Sequence, residues 1–223
     1  PDVLAEPQCV IRLLSVDDHK MIHRAIAHMA NRHPDLSLIG EASTGEQALE
    51  FIDALQPHVV LMDLDMPGMG GIEATEKIRR QFPAVQVIII SGHVHEPYPS
   101  RALAAGARGF LSKDVDEDEI ERAVRRVLRG ECHVSSDVAG HMAAMRFGTR
   151  EGSPFDELSD RELAVAMKIC TGLGTQEISD LLGIHVNTVS TYRRRIYDKV
   201  DVSNDVQLTR MAYRFGLLKE GLE

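Results

Sequence analysis

The sequence predicts an α/β domain joined to an all-α one: an N-terminal, doubly wound, five-stranded parallel (βα)5 sheet, then a four-helix C-terminal domain. Three observations support this. Five apolar, β-branched runs between residues 9 and 113 alternate with segments of helical spacing, the pattern of strands buried on both faces by crossover helices. Residues 131–156 lose any sustained period and contain GTREGSP. Beyond them apolar positions recur at helical spacing. The predicted boundaries are 9–130 for the α/β domain, 131–154 for a linker and 155–220 for the helical domain. A chain of 223 residues suffices for two small cores.

The first strand is CVIRLLSV (9–16), ending in Asp17-Asp18. His19 to Arg32 has helical spacing at Ile22, Ile26 and Met29, and Pro34 stops it. LSLIGEA (36–42) is the second strand. Thr44 can cap the next helix, with Gln47 at the capping-box position and Ala48, Leu49, Ile52 and Leu55 on its apolar face. HVVLMD (58–63) is the third strand, Gly70-Gly71 opens a helix to about Gln81, and VQVIIIS (85–91) is the fourth strand. A short helix near 100–105 leads to RGFLSK (108–113), the fifth strand. An acidic stretch, Asp116 to Glu119, then begins a helix that ends at Gly130. Within the linker, VSSDVAGHMAAM has room for a helical turn or two.

Ligands of doubly wound sheets bind beyond the carboxyl ends of the strands, near a switch point. Asp17 and Asp18 end the first strand, Asp63 the third, Ser91 the fourth and Lys113 the fifth. Three carboxylates in one pocket repel, and a divalent cation relieves the repulsion. An all-oxygen site that keeps some waters suits Mg2+. A hydroxyl and an ammonium opposite can hold the oxygens of a phosphoryl group. The Asp63-x-Asp65 spacing leaves two readings open: a phosphatase of the haloacid dehalogenase class, or a protein itself phosphorylated on aspartate. In that phosphatase class the motif normally follows the first strand, with Thr or Val two residues after the second Asp. Here it follows the third strand and Pro67 stands there, which favours the second reading.

Asp17-Asp18, Asp63 with Met66-Pro67-Gly68, Ser91 and Phe110-x-x-Lys113 resemble a two-component receiver domain over about residues 10–130. The resemblance implies that Asp63 is the phosphoacceptor. It implies that Asp18 and Asp63 ligate Mg2+ through carboxylates, Asp17 mostly through water and Asp65 through its backbone carbonyl. Ser91 would hydrogen-bond the acyl phosphate, Lys113 would pair with it, and Phe110 stands at the rotameric switch aromatic. No catalysis is expected beyond the protein's own phosphorylation and dephosphorylation. Many receivers carry a cis proline after the lysine. Asp114 stands there instead, and a non-proline cis bond costs about 2.5–4 kcal/mol, so the isomer of the Lys113–Asp114 peptide is open. The Asp65 side chain, with His93, is expected to tune how fast water reaches the acyl phosphate.

In the C-terminal part, Ser159 and Glu162 form a capping box ahead of Leu163, Met167 and Ile169. Thr175 is the expected cap of QEISDLLG, which Gly183 ends. Asn187 or His185 starts TVSTYRRRIYDKV, with Val189, Ile196 and Val200 inward, and a last helix over about 204–215 closes at Gly216. Two helices joined by GIHVN match the helix-turn-helix pattern, whose second helix enters the major groove. DNA contacts are expected from Thr175, Asn187, Thr188, Ser190, Thr191, Arg193, Arg194, Arg195 and Lys199. Arginine pairs with guanine edges or phosphate, whereas Ser, Thr and helix N-termini favour phosphate. LSDREL, EISDLLG and NTVSTYRRRIYDKV resemble the LuxR/FixJ-type DNA-binding domain. That family often has Lys where Ser190 stands and His where Tyr192 stands, so the uncharged Ser190 moves the expected base contact to Arg194. Both halves together resemble NarL/FixJ response regulators, and in pattern the GacA/UvrY type.

The resemblance implies a transcription factor: a sensor histidine kinase as phosphodonor, double-stranded promoter DNA as target, and a homodimer on activation. RNA polymerase is a further candidate partner. It also implies that the receiver masks the third C-terminal helix at rest. The alternative, a receiver that acts without phosphate, predicts unchanged regulation after Asp63→Ala. Composition fits these expectations. Hydrophobic content of 43% and charged content of 26% are those of a globular chain. No apolar run approaches the roughly 20 residues needed to span a bilayer, and PDVLAEPQ has no secretory pattern. Cys9, Cys132 and Cys170 match no metal spacing and read as free thiols of a cytoplasmic protein. A net charge of −9 argues against indiscriminate nucleic-acid binding, but residues 186–199 carry four basic residues and one acid.

Overall fold

The computed structural model describes residues 10–147 and 153–218; Cys9 and residues 148–152 of GTREGSP lie outside the described residues. Strand and helix alternate as β1 (Ile11–Val16), α1 (Lys20–Asn31), β2 (Leu36–Ala42), α2 (Gly45–Leu55), β3 (Val59–Met62) and α3 (Gly71–Gln81). They continue as β4 (Gln86–Ser91), α4 (Tyr98–Ala105), β5 (Gly109–Ser112) and α5 (Glu117–Leu128). Thr44 Oγ1 caps α2 by accepting from Gln47 N at 3.2 Å, and Asp116 caps α5 by accepting from Glu119 N at 2.7 Å. The Gln47 side chain accepts from the Ser43 amide rather than from that of the cap.

The strands are parallel in the order β2-β1-β3-β4-β5, and a sixth, β6 (His133–Val134), follows on β5. From β1 the chain moves outward to β2, and from β3 it moves the other way to β4. The switch point therefore lies between β1 and β3, whose carboxyl ends carry Asp17 and Asp63. Successive side chains point to opposite faces. Leu13, Leu61, Ile88 and Leu111 pack with α1 and α5, whereas Leu14, Met62, Ile89 and Phe110 pack with α2, α3 and α4.

Residues 133–147 hold more regular structure than a linker with a helical turn or two. His133–Val134 forms β6, a sixth strand on β5, held by His133 N to Arg108 O at 2.9 Å and Ser135 N to Phe110 O at 3.0 Å. Ser136–Phe147 forms α6. Without β6, strand β5 would be the sheet's open edge, and two residues suffice to pair it. Neither element is visible as a period, because the strand is too short and the apolar residues of α6 are spread around the helix. The cis peptide found among the described residues is Glu96–Pro97, so the Lys113–Asp114 peptide is trans.

A 3-10 turn (Pro154–Glu157) leads into α7 (Asp160–Cys170), α8 (Thr175–Leu182), α9 (Val186–Val200) and α10 (Asp205–Arg214). Ser159 and Glu162 make the capping box of α7. Thr175 does not cap α8. Gly174 is the cap residue, its amide donating to Glu177 at 2.7 Å, and Thr175 is the first helical residue. His185 caps α9 through Nδ1, which accepts from Asn187 N at 3.2 Å. Gly183 ends α8 at φ +62, a left-handed conformation that glycine adopts without a Cβ penalty. Phe155, Leu163, Ile178, Val189, Ile196 and Leu208 are fully buried between these helices.

Candidate functional site

Asp63 follows β3 and is 3% exposed. Its amide donates to the Val16 carbonyl at 2.8 Å, which ties the ends of β3 and β1 together. The carboxylate accepts from Leu64 N at 2.7 Å on Oδ1 and from Lys113 Nζ at 2.9 Å on Oδ2. Lys113 Nζ also lies 2.9 Å from Asp17 Oδ2. Asp17 is buried, accepts from the His19 amide at 2.8 Å, and sits beside Asp18, which is exposed. Ser91 ends β4 buried, its Oγ accepting from His93 N at 3.0 Å, and Phe110 on β5 is fully buried. The structure thus brings the predicted site residues to adjacent strand ends.

Charge in this pocket is unbalanced. Burial raises the Asp63 pKa to about 6, against the pull of Lys113 and with a further push from Asp17 and Asp65. Burial works against the Lys113 charge too, but its bonds to Asp17 and Asp63 outweigh that and hold its pKa above the usual value. An acid with a raised folded-state pKa stabilises the fold only when protonated. Stability falls as pH rises, because the unfolded chain releases this proton first. In metal-free buffer, Asp63→Asn is therefore expected to raise stability by on the order of 1–3 kcal/mol at pH 7. The gain shrinks as pH falls through about 6 and vanishes near 4, as urea unfolding across that range would show. A gain that is the same at both ends would contradict it.

Asp17, Asp18, Asp63 and His19 place ligand atoms within 4.8 Å of one another. One lysine against three carboxylates leaves an anionic surplus that fits a divalent cation. His19 was not singled out by the sequence. Its Nδ1 lies 3.0 Å from Asp17 and 2.8 Å from Asp18, and its position directly after the Asp pair was the available signal. The start of α3 packs closely on the backbone that follows β3. A Cβ on Gly71 would stand 2.0 Å from the Asp63 carbonyl oxygen. Gly71→Ala is expected to push α3 off the end of β3 and cost about 1–3 kcal/mol, which a thermal melt would detect; an unchanged melting temperature contradicts the close packing.

Asp65 has a different environment from Asp63. Burial opposes its charge, but His93 Nε2 at 2.8 Å and Lys168 Nζ at 3.4 Å hold its pKa down to about 2. Lys168 belongs to α7, so the second carboxylate is a cross-domain contact. Further contacts join the domains. Arg161 donates to the Gly68 carbonyl at 2.6 Å and to Glu73 at 2.9 Å. Arg101 on α4 donates to Asp160 at 2.9 Å and to the carbonyls of Phe155 and Asp156. A cavity of about 310 Å3 lies between them, lined by Leu64, Met66, Ile72, Ala164 and Leu182, with Asp18 and His19 on its wall. None of Arg101, Arg161 and Lys168 was predicted, since each reads as an ordinary charged helix position.

The expected masking of the third C-terminal helix is not observed. The sheet domain meets α7 and α8, while Asn187, Ser190, Thr191, Arg194 and Arg195 on α9 are exposed. Thr188 is half-buried, as is Thr175 at the start of α8. Ser190 and Thr191 donate to the carbonyls of Val186 and Asn187, one turn back. Two of the predicted cationic contacts are held in ion pairs within the domain. Arg193 pairs with Asp205 at 3.1 Å, and Lys199 pairs with buried Glu162 at 2.7 Å and donates to the Glu157 carbonyl. Arg194 and Arg195 have no ion pair among the described residues, and are the cations α9 presents outward.

Two family models match the chain: the response regulator receiver domain over residues 13–125, and the luxR family of bacterial regulatory proteins over residues 156–212. Response regulator GacA of Pseudomonas protegens is 39% identical over 96% of this chain and 100% of its own length. Response regulator UvrY of Escherichia coli K12 is 38% identical over 93% of this chain and 96% of its own. Among solved structures, RcsB from Salmonella enterica serovar Typhimurium, bound to a promoter in the presence of a phosphomimetic, has a TM-score of 0.66 at 22% identity. It covers 90% of this chain and 97% of RcsB, and that likeness shows the fold.

Proposed function

Since the chain belongs to the response regulators that join a receiver domain to a LuxR-type DNA-binding domain, we propose that it is switched by phosphorylation of Asp63. The observation that carries this is a buried carboxylate at the sheet's switch point, bonded to Lys113 and flanked by Asp17 and Asp18. Mg2+ is the cation that the donor set fits: Asp17, Asp18, Asp63 and the Asp65 carbonyl would hold it, and when bound it neutralises phosphoryl oxygens. The donor is the phosphohistidine of a sensor kinase. An Asp63 carboxylate oxygen forms the new bond to phosphorus, the phosphorus–nitrogen bond breaks, and the imidazole leaves with the electron pair. Lys113 then pairs with the transferred phosphoryl group.

Ser91 completes the switch. Its hydroxyl now accepts from the His93 amide, and turning to donate to the phosphoryl group shifts the end of β4. Phe110 is already packed inward, so the change reaches the surface through β4, α4 and β5. That surface pairs two copies, and the paired α9 helices address a two-fold promoter site one helical turn apart in DNA of the cytoplasm. Thr191, Arg194 and Arg195 contact base edges and phosphates, and Asn187 and Ser190 add phosphate contacts. RNA polymerase is the further partner in this reading.

The test is incubation with Mg2+ and a small-molecule phosphodonor, followed by mass spectrometry of tryptic peptides. One phosphoryl group on the peptide carrying Asp63 is expected. Steady turnover of a phosphate ester without a phosphorylated chain would instead revive the phosphatase reading.

A further inference from the structure

Two histidines meet within the receiver, away from the acidic pocket. His95 lies on the segment that leads from β4 to α4, and His141 lies on α6. Their ring centroids are 4.1 Å apart with the planes at 68°, edge to face. His141 Nδ1 is buried and has no hydrogen-bond partner among the described residues. Such a nitrogen carries a desolvation cost that a ligand would remove. The backbone on both sides is anchored by other groups. Val94 and Val138, the latter three residues before His141, are buried in the core that includes Tyr98 and Phe110. The Ser135 amide ties the start of α6 to the Phe110 carbonyl at 3.0 Å. The two rings are thus brought together by elements that neither ring holds in place.

We propose that His95 and His141 form a Zn2+ site that bridges the β4–α4 segment to α6. Neutral imidazole is a common zinc ligand, and the unpartnered nitrogen of His141 offers the ion a lone pair. With Zn–N bonds of about 2.0–2.1 Å, two imidazoles on one tetrahedral ion hold their centroids about 5 Å apart. The rings therefore need to open by roughly 1 Å, which side-chain torsions supply without moving the backbone. Asp137 stands one helical turn before His141 and accepts from the Ser135 hydroxyl at 2.6 Å. Its carboxylate faces the same side of α6 and offsets part of the ion's charge, and waters complete the coordination. The oxygen donors at Asp17, Asp18 and Asp63 suit Mg2+, whereas a pair of nitrogens selects the softer ion. Histidines that only pack against each other would take up no metal.

The test is calorimetric titration of Zn2+ into the full chain in excess Mg2+, which occupies the acidic pocket. His95→Gln and His141→Gln remove one ligand each, and His19→Gln is the control for Zn2+ in the acidic pocket. Wild type and His19→Gln are each expected to take up one Zn2+. Either of the other substitutions weakens that uptake about 10-fold or more, since even the outer-shell partners of a metal ligand are worth 10- to 100-fold. A second measurement needs no variant to fold: in the NMR spectrum of wild type, Zn2+ shifts the ring protons of His95 and His141. Uptake that survives His95→Gln or His141→Gln, uptake lost in His19→Gln, or none by wild type overturns the proposal. Ring protons of His95 and His141 that stay unmoved overturn it too.

Discussion

Replacing Asp63 with asparagine is expected to bring phosphate incorporation to background and to abolish donor-induced dimerisation, while making the fold more stable above pH 6. The three effects have one origin. In the proposed reading the carboxylate is the nucleophile, and its burial beside Asp17 makes it costly to ionise, which is why its pKa stands near 6. Asparagine keeps the shape and removes both the nucleophile and the cost. An inert variant that is also more stable cannot be explained by misfolding, so its melting curve is the internal control. Lys113→Met gives the complementary result. The carboxylate survives, but the cation that meets the phosphoryl oxygens is gone, and incorporation slows on the order of 100-fold. Sedimentation velocity with and without phosphodonor reads the dimerisation, and a donor-dependent dimer of the Asp63→Asn chain would contradict the assignment.

Arg194→Ala is expected to weaken promoter binding by about 1–3 kcal/mol and to lower the magnitude of the salt slope or relax sequence preference, depending on whether phosphate or base is lost. Arg195→Ala acts in the same way, because both guanidinium groups point outward from α9. Arg193→Ala behaves differently. Its guanidinium pairs with Asp205, which also accepts from the Tyr197 hydroxyl. Its loss loosens the packing of α10 on α9, so the melting temperature falls before DNA affinity does. Lys199→Ala is expected to follow Arg193, because it leaves Glu162 buried without its cation. Fluorescence anisotropy at several salt concentrations, on promoter and unrelated DNA, separates the two classes; wild-type affinity, salt slope and sequence preference in the Arg194 and Arg195 variants would exclude them from the interface.

These contrasts show what was legible in the sequence. Asp17, Asp63, Ser91 and Lys113 were readable because parallel strands end on one edge of the sheet, so their carboxyl-end residues must meet. Ser159 with Glu162 and Thr44 with Gln47 were readable because a cap needs only neighbours within one helical turn. Arg193, Arg194 and Arg195 look alike as a run. What separates them is the placement of Asp205 on the next helix, which spacing along α9 does not encode. The same holds for Asp65, whose partner Lys168 lies 103 positions away. Thr175 was misplaced by one residue because Gly174, with no side chain, serves as cap through Glu177. The exposed face of α9 overturned an expectation drawn from resemblance alone.

The central claim is that phosphate on Asp63 governs the affinity of α9 for DNA, and its most direct measurement is a promoter titration by fluorescence anisotropy. Wild type and Asp63→Asn are each titrated with and without phosphodonor and Mg2+. The donor is predicted to tighten binding by wild type and to leave the Asp63→Asn chain unchanged. An equal effect of the donor on both chains, or none on wild type that carries phosphate on Asp63, would contradict it.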